Sequence, residues 1–163
     1  MHAFEPSPNP RRILRMKAEK FPNVYVYPYA LGEKHYTAEL NLHSSSMVDS
    51  LVKKSDDFWR QIKVTVKTLD SFNFENIGLI KIDTEGYEVP ILLGAKETIQ
   101  RNKPRLIIEV HKVNKSYQEE LKTTTEILKE LNYHCLLVNC SYNRGSGILL
   151  PKPTDFREKR AVF

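Results

Sequence analysis

The sequence predicts an α/β fold: an open, mostly parallel sheet with helices on both faces. Three observations predict it. Strand-like and helix-like segments alternate from end to end of the 163 residues. Residues 77–83 and 105–110 are nearly continuous in apolar side chains, the pattern of parallel strands covered on both faces. Residues 88–102 and 117–131 repeat their apolar residues at helical spacing.

Composition bounds the answer before any element is placed. A chain 40% hydrophobic and 28% charged has enough apolar surface for a packed core, which excludes a disordered polyelectrolyte. No apolar run approaches the roughly 18 residues that a membrane-spanning helix needs. Two cysteines exclude a disulfide-dense scaffold. The net charge of +5 comes from scattered basic residues, the pattern of a solvated mixed-charge surface. With no arginine-rich recognition helix and no aromatic-basic strand motif, specific nucleic-acid binding is not expected.

Taken in order, His2-Ala3-Phe4-Glu5 reads as a short strand ending in an acid. Ser7-Pro8-Asn9-Pro10 has helix-start chemistry, with Asn9 as the cap and Pro10 at the first helical position, and the helix runs to about Lys20. Residues 24–31 alternate and are rich in Val and Tyr, so they read as one strand ended by Gly32. Residues 37–42 form another short strand, residues 43–57 a Ser-rich mobile loop, and residues 62–69 a half-exposed strand. The buried strand at 77–83 is followed by one helix over 88–102, with Pro90 near its first turn, then by the buried strand at 105–110. Tyr117, Leu121, Thr124, Leu128 and Leu131 share one helical face; residues 133–139 and 147–150 are the last strands.

In open α/β sheets, ligands bind at the carboxyl ends of the strands. Three strands end in acids there: Glu5, Asp83 with Glu85, and Glu109 with His111. A carboxylate beside a buried strand costs desolvation free energy unless something binds it. Glu5 has the chemistry to accept both hydroxyls of a ribose; equally, it can cap the helix that follows. Asp83 and Glu85 lie two residues apart and face one side of an extended segment, as do Glu109 and His111. If the two strands are neighbours, the four groups can hold a divalent cation or supply a general base. The alternative is that Glu85 pairs with Lys81 or Lys112 and that His111 is a surface residue. Cys135 and Cys140 read as reduced structural thiols, and Phe58 and Trp59 as packing residues. Ser44, Ser45 and Ser46 lack the glycines of a nucleophile elbow, and no phosphate-binding glycine loop is present.

Several segments, in order, resemble FkbM-type methyltransferases. Ala3-Phe4-Glu5-Pro6-Ser7-Pro8 resembles their FEP-x-P segment. Ala30-Leu31-Gly32 matches ALG, and Thr68-Leu69-Asp70 matches TLD. Residues 79–88 match LIKID-x-EG-x-E, Leu92-Leu93-Gly94-Ala95 matches LxGA, and residues 107–111 resemble the EVH strand. The resemblance covers about residues 2–111. It implies a Rossmann-like, S-adenosylmethionine-dependent methyltransferase, typically acting on an oxygen of a small molecule or sugar. By that match, Glu5 holds the cofactor ribose, and Pro6 beside it also binds the cofactor. Ala30 and Leu31 lie near the adenine. Asp83 touches the cofactor and, with Glu85, sits where the methyl group meets the acceptor, flanked by Glu109 and His111. No metal is implied.

The resemblance also implies a first strand, a glycine-rich turn and a first helix ahead of Phe4, at the centre of the sheet. The chain as given begins after them, so the expectation is a truncated methyltransferase domain over 1–151 with a carboxy-terminal tail at 152–163. Two open strand edges and weakened cofactor binding follow. A non-catalytic domain that retains the fold as a binding module is the competing expectation. With no signal peptide visible, the expected location is cytoplasmic.

Overall fold

A computed structural model describes residues 1–42, 51, 60–84, 86–110, 117–135, 140–142 and 149–151. The strand β1, His2–Phe4, leads into helix α1, Pro8–Ala18. The helix starts at Pro8 rather than Pro10, because either proline has the fixed φ that suits a first turn and Ser7 ahead of it is extended. None of the residues of α1 is fully buried, and Ile13 and Met16 stay exposed while the helix lies against β2, Tyr25–Tyr27.

The single strand expected over residues 24–31 is two. β2 pairs in parallel with β1, whereas β3, Ala30–Leu31, pairs in parallel with β5, Arg60–Lys67. Pro28 stands between them and has no N–H for a ladder, which lets the chain leave one sheet for the other. β4, Tyr36–Leu42, completes the second sheet antiparallel to β5, from Tyr36↔Val66 to Leu42↔Arg60. Leu40, Leu42, Val64, Val66 and Ala30 form its buried core.

The third sheet is β6, Leu79–Ile82, paired in parallel with β7, Arg105–Ile108. The helix expected over 88–102 breaks at Gly94 and Ala95 into α2, Glu88–Leu93, and α3, Lys96–Asn102. α4, Tyr117–Glu130, packs on α2 and buries Thr124, Ile127 and Leu128. These elements enclose the main core, in which Leu92 and Ile99 are fully buried. A short 3-10 segment, Asp70–Phe72, caps α3 from outside the helix: the Asp70 carboxylate accepts from the backbone of Thr98 at 2.8 Å and of Glu97 at 3.2 Å.

A strand covered on both faces was the expectation for 77–83 and 105–110, and here the structure differs. Among the described residues, only one face packs. On the other, Leu79 is 54% exposed and Ile107 53%, alternating with buried Ile82 and Leu106. β1 is joined to β2 alone and β6 to β7 alone among the described residues, which form four small sheets in a mixed α/β fold. The fourth is an antiparallel pair, β8, Cys140–Tyr142, and β9, Leu149–Pro151; of the strand expected over 133–139, residues 133–135 are not in a strand and 136–139 lie outside the described residues.

Two of the contacts between the sheets involve the motif segments. Phe4 stacks on Tyr27 and meets Phe72 edge-on at 5.0 Å, so an aromatic cluster ties β1 and β2 to the 3-10 segment. The other joint is backbone on backbone: Gly32, just after β3, places its carbonyl against Gly94, where a Cβ would overlap it. The glycine of the LxGA segment is thus required by the backbone of the ALG turn, whereas a Cβ on Gly32 itself would meet Val66 and the Tyr87 ring.

Candidate functional site

β6 ends at Ile82, and the next residues make a tight turn into α2. Gly86 takes φ 103°, a conformation that a side chain disfavours. Glu88 closes the turn from inside. Its carboxylate is buried and accepts from the Gly86 N–H at 3.0 Å and from the Thr84 hydroxyl at 3.4 Å. Sequence reasoning counted Glu88 only as part of a motif; its role is to hold the acidic turn in shape.

Asp83 and Glu109 lie side by side. Ile82 is in register with Ile108, and the Glu109 N–H donates to the Ile82 carbonyl at 2.9 Å. Lys81, Asp83, Ile107 and Glu109 are all exposed, so Asp83 and Glu109 share one face at the tips of paired strands, which are spaced about 5 Å apart. The strands are thus the neighbours that the four-group cluster requires. Lys81 pairs with Asp83, Nζ to Oδ2 at 2.6 Å, and this exposed bridge contributes little stability. Glu85 and His111, the other two members of the cluster, lie outside the described residues.

Glu5 follows β1, and its N–H extends the pairing with the Tyr27 carbonyl. Its carboxylate accepts from the Ser7 N–H at 2.8 Å, immediately ahead of α1, and so braces the turn; Ser7 stands at the cap position, and no side chain caps a helical N–H there. Arg11 donates to the backbone carbonyls of Glu5 and Pro6 at 3.1 and 2.7 Å, fastening this turn. Ala30 is buried, and Leu31 is half-buried against the main core.

One core underlies these segments. Phe4, Leu31, Ile82 and Ile108 all belong to it or pack on it, and three of them immediately precede Glu5, Asp83 and Glu109. Tyr87 packs there as well. Its hydroxyl is hydrogen-bonded to that of Tyr36 on β4, and its ring lies beside Gly32. Burial, and next the Tyr36 bond, push the Tyr87 hydroxyl well above the usual tyrosine range. Neither tyrosine was singled out from the sequence, because nothing local marks a residue whose partner lies on another sheet.

A shallow depression of about 430 Å³ lies elsewhere, between α1 and β2, lined by Arg15, Glu19 and Tyr25 among others and by none of the predicted site residues. Among the described residues, no three His, Cys, Asp or Glu side chains gather to hold a metal ion. No helix of the described chain is long and apolar enough to cross a membrane.

Comparison with known proteins gives two findings. The family model of the methyltransferase FkbM domain matches residues 1–135. The crystal structure of methyltransferase FkbM from Methylobacillus flagellatus KT is similar in fold, with a TM-score of 0.52 at 20% identity over 78% of this chain. The chain spans 29% of the length of that protein. No curated protein matches it.

Proposed function

The chain belongs to the FkbM methyltransferase family, and from that premise we propose that it carries the donor-binding and acceptor-facing strand tips of an S-adenosylmethionine-dependent O-methyltransferase acting on a small-molecule or sugar hydroxyl. The observation that carries this reading is the common core: the residues before Glu5, Asp83 and Glu109, together with Leu31, pack into one apolar cluster. The predicted donor side and acceptor side therefore rest on one support.

The residues fit the donor in their chemistry. Glu5 offers a half-buried carboxylate at a strand tip, oriented by Ser7, to the ribose hydroxyls. Pro6, buried Ala30 and half-buried Leu31 supply apolar surface for the adenine. When bound, the sulfonium donor supplies an electrophilic methyl group. Asp83, with Glu85, orients the acceptor hydroxyl and takes its proton, and Glu109 and His111 flank that position. The open Rossmann-like sheet belongs to the same proposal: the parallel pairs β1–β2 and β6–β7 are two parts of one sheet, whose facing edges are completed by a further strand. So do the domain limits, 1–151, and a cytoplasmic location.

Calorimetry with S-adenosylhomocysteine, followed by a labelled-donor assay on a mixed pool of hydroxylated acceptors in the full reading frame, tests the reading. Glu5→Ala is expected to weaken donor binding by about 1.5–3 kcal/mol, the range for hydrogen bonds to a charged group. Unchanged affinity removes the ribose role. Donor binding without transfer to any acceptor leaves a non-catalytic binding module.

A further inference from the structure

Tyr87 stands at a junction of three segments. It is the residue between Gly86 and Glu88 in the acidic turn. Its ring edge lies 3.3 Å from where a Gly32 Cβ would sit, beside the segment that bears Ala30 and Leu31. Its hydroxyl meets that of Tyr36, at the start of β4. A phenylalanine would fill the same space, so packing does not explain the hydroxyl. A half-buried hydroxyl that loses its partner costs free energy, which makes the Tyr36–Tyr87 bond directional where the rest of the joint is only close-packed.

Resting on the donor-site reading above, we infer that the Tyr36–Tyr87 hydroxyl pair is a positioning device, which sets the acidic turn with Asp83 at a fixed distance from the Ala30 and Leu31 side of the donor site. Glu88 grips the same turn through Thr84 and Gly86 from within the core. Held from both sides, the turn has little freedom to move away from β3. Neither tyrosine needs to touch the reacting atoms; each acts through the turn.

Tyr36→Phe, Tyr87→Phe and the double variant of the full chain test this. Amide hydrogen exchange is read at residues 84 and 86–88, with Leu106 and Ile108 as internal references, and S-adenosylhomocysteine affinity is read by calorimetry. Each single variant is expected to speed exchange in the turn several-fold and to weaken the ligand about five- to tenfold, the effect of one lost hydrogen bond. The double variant goes no further, because one bond has been removed in all three. The reference amides and the thermal midpoint stay near those of the parent chain. Unchanged exchange in the turn, additive single effects or a uniform loosening of all amides overturns the inference. A loosened turn with undiminished affinity also overturns it, leaving a merely structural bond. If the parent chain binds no S-adenosylhomocysteine, the functional reading fails by itself, and the exchange data still decide whether the pair fixes the turn.

Discussion

Gly94→Ala is the sharpest perturbation that the fold offers. A Cβ at that position would overlap the Gly32 carbonyl oxygen, and would lie 2.9 Å from the Gly32 carbonyl carbon and 3.2 Å from the Glu33 Cα, where ordinary contact begins at 3.4 Å. All three neighbours are backbone atoms, so no rotamer relieves the clash. The turn after β3 has to retreat by roughly 1 Å, and it is held there by the Gly32 N–H donating to the Lys67 carbonyl at 2.9 Å. On the other side, the Gly94 carbonyl accepts from the Asp70 N–H at 3.1 Å. Overpacking of about 1–3 kcal/mol plus about 1 kcal/mol for one weakened hydrogen bond gives an expected loss of about 2–4 kcal/mol. For a domain of this size that is a fall in Tm of roughly 4–16 °C. Gly78→Ala is the control: nothing lies within 4 Å of its Cβ position, so it should be neutral or gain about 0.4–1 kcal/mol from the stiffer unfolded chain. Urea unfolding followed by circular dichroism measures both. A Gly94→Ala chain as stable as the parent would refute the backbone contact, and with it the account of how the two cores are joined.

Other perturbations probe separate parts of the molecule. Asp70→Ala removes the carboxylate that accepts from Thr98 and Glu97, and should cost about 1–2 kcal/mol in the same unfolding experiment; no loss would remove its capping role. Leu92→Ala, at a fully buried site, should cost about 2–5 kcal/mol, whereas Leu79→Ala, at a site 54% exposed, should stay within about 0.5 kcal/mol of the parent; a large loss at Leu79 would show that its face is covered in solution. Tyr87 loses its proton later in the folded than in the unfolded chain, so the folded state holds the extra proton above the ordinary tyrosine value of 10.0. The stability it contributes is fully present below that pH and falls as pH rises from there toward the folded value. Ultraviolet titration should show a late-ionising tyrosine that disappears in Tyr87→Phe, with a flatter decline of stability in alkali; an unchanged titration curve would contradict the burial of the hydroxyl.

Local pattern carried much of this protein in its sequence. The spacing of Thr124, Leu128 and Leu131 places the buried face of α4, and the apolar runs that hold Ile82 and Leu106 place two core strands, though not which of their faces packs. The segment order identified the family, whereas the adjacency of the Asp83 and Glu109 strands, only a condition in the sequence, is supplied by the parallel pairing of β6 with β7. Such features are legible because each residue's burial repeats at the period of its own helix or strand. Tertiary structure decided the rest. It broke the 24–31 strand at Pro28 and sent its halves to different sheets, and it split the helix over 88–102 where Gly94 meets Gly32. It paired Lys81 with Asp83, turned the Glu5 carboxylate to Ser7, and left Leu79 and Ile107 uncovered. Apolar sequence states that a face is able to be buried, but only the presence of a packing neighbour determines whether it is. Tyr36 with Tyr87, like Gly32 with Gly94, gains its meaning from a contact between residues far apart in the chain, and no local window contains both members of such a pair.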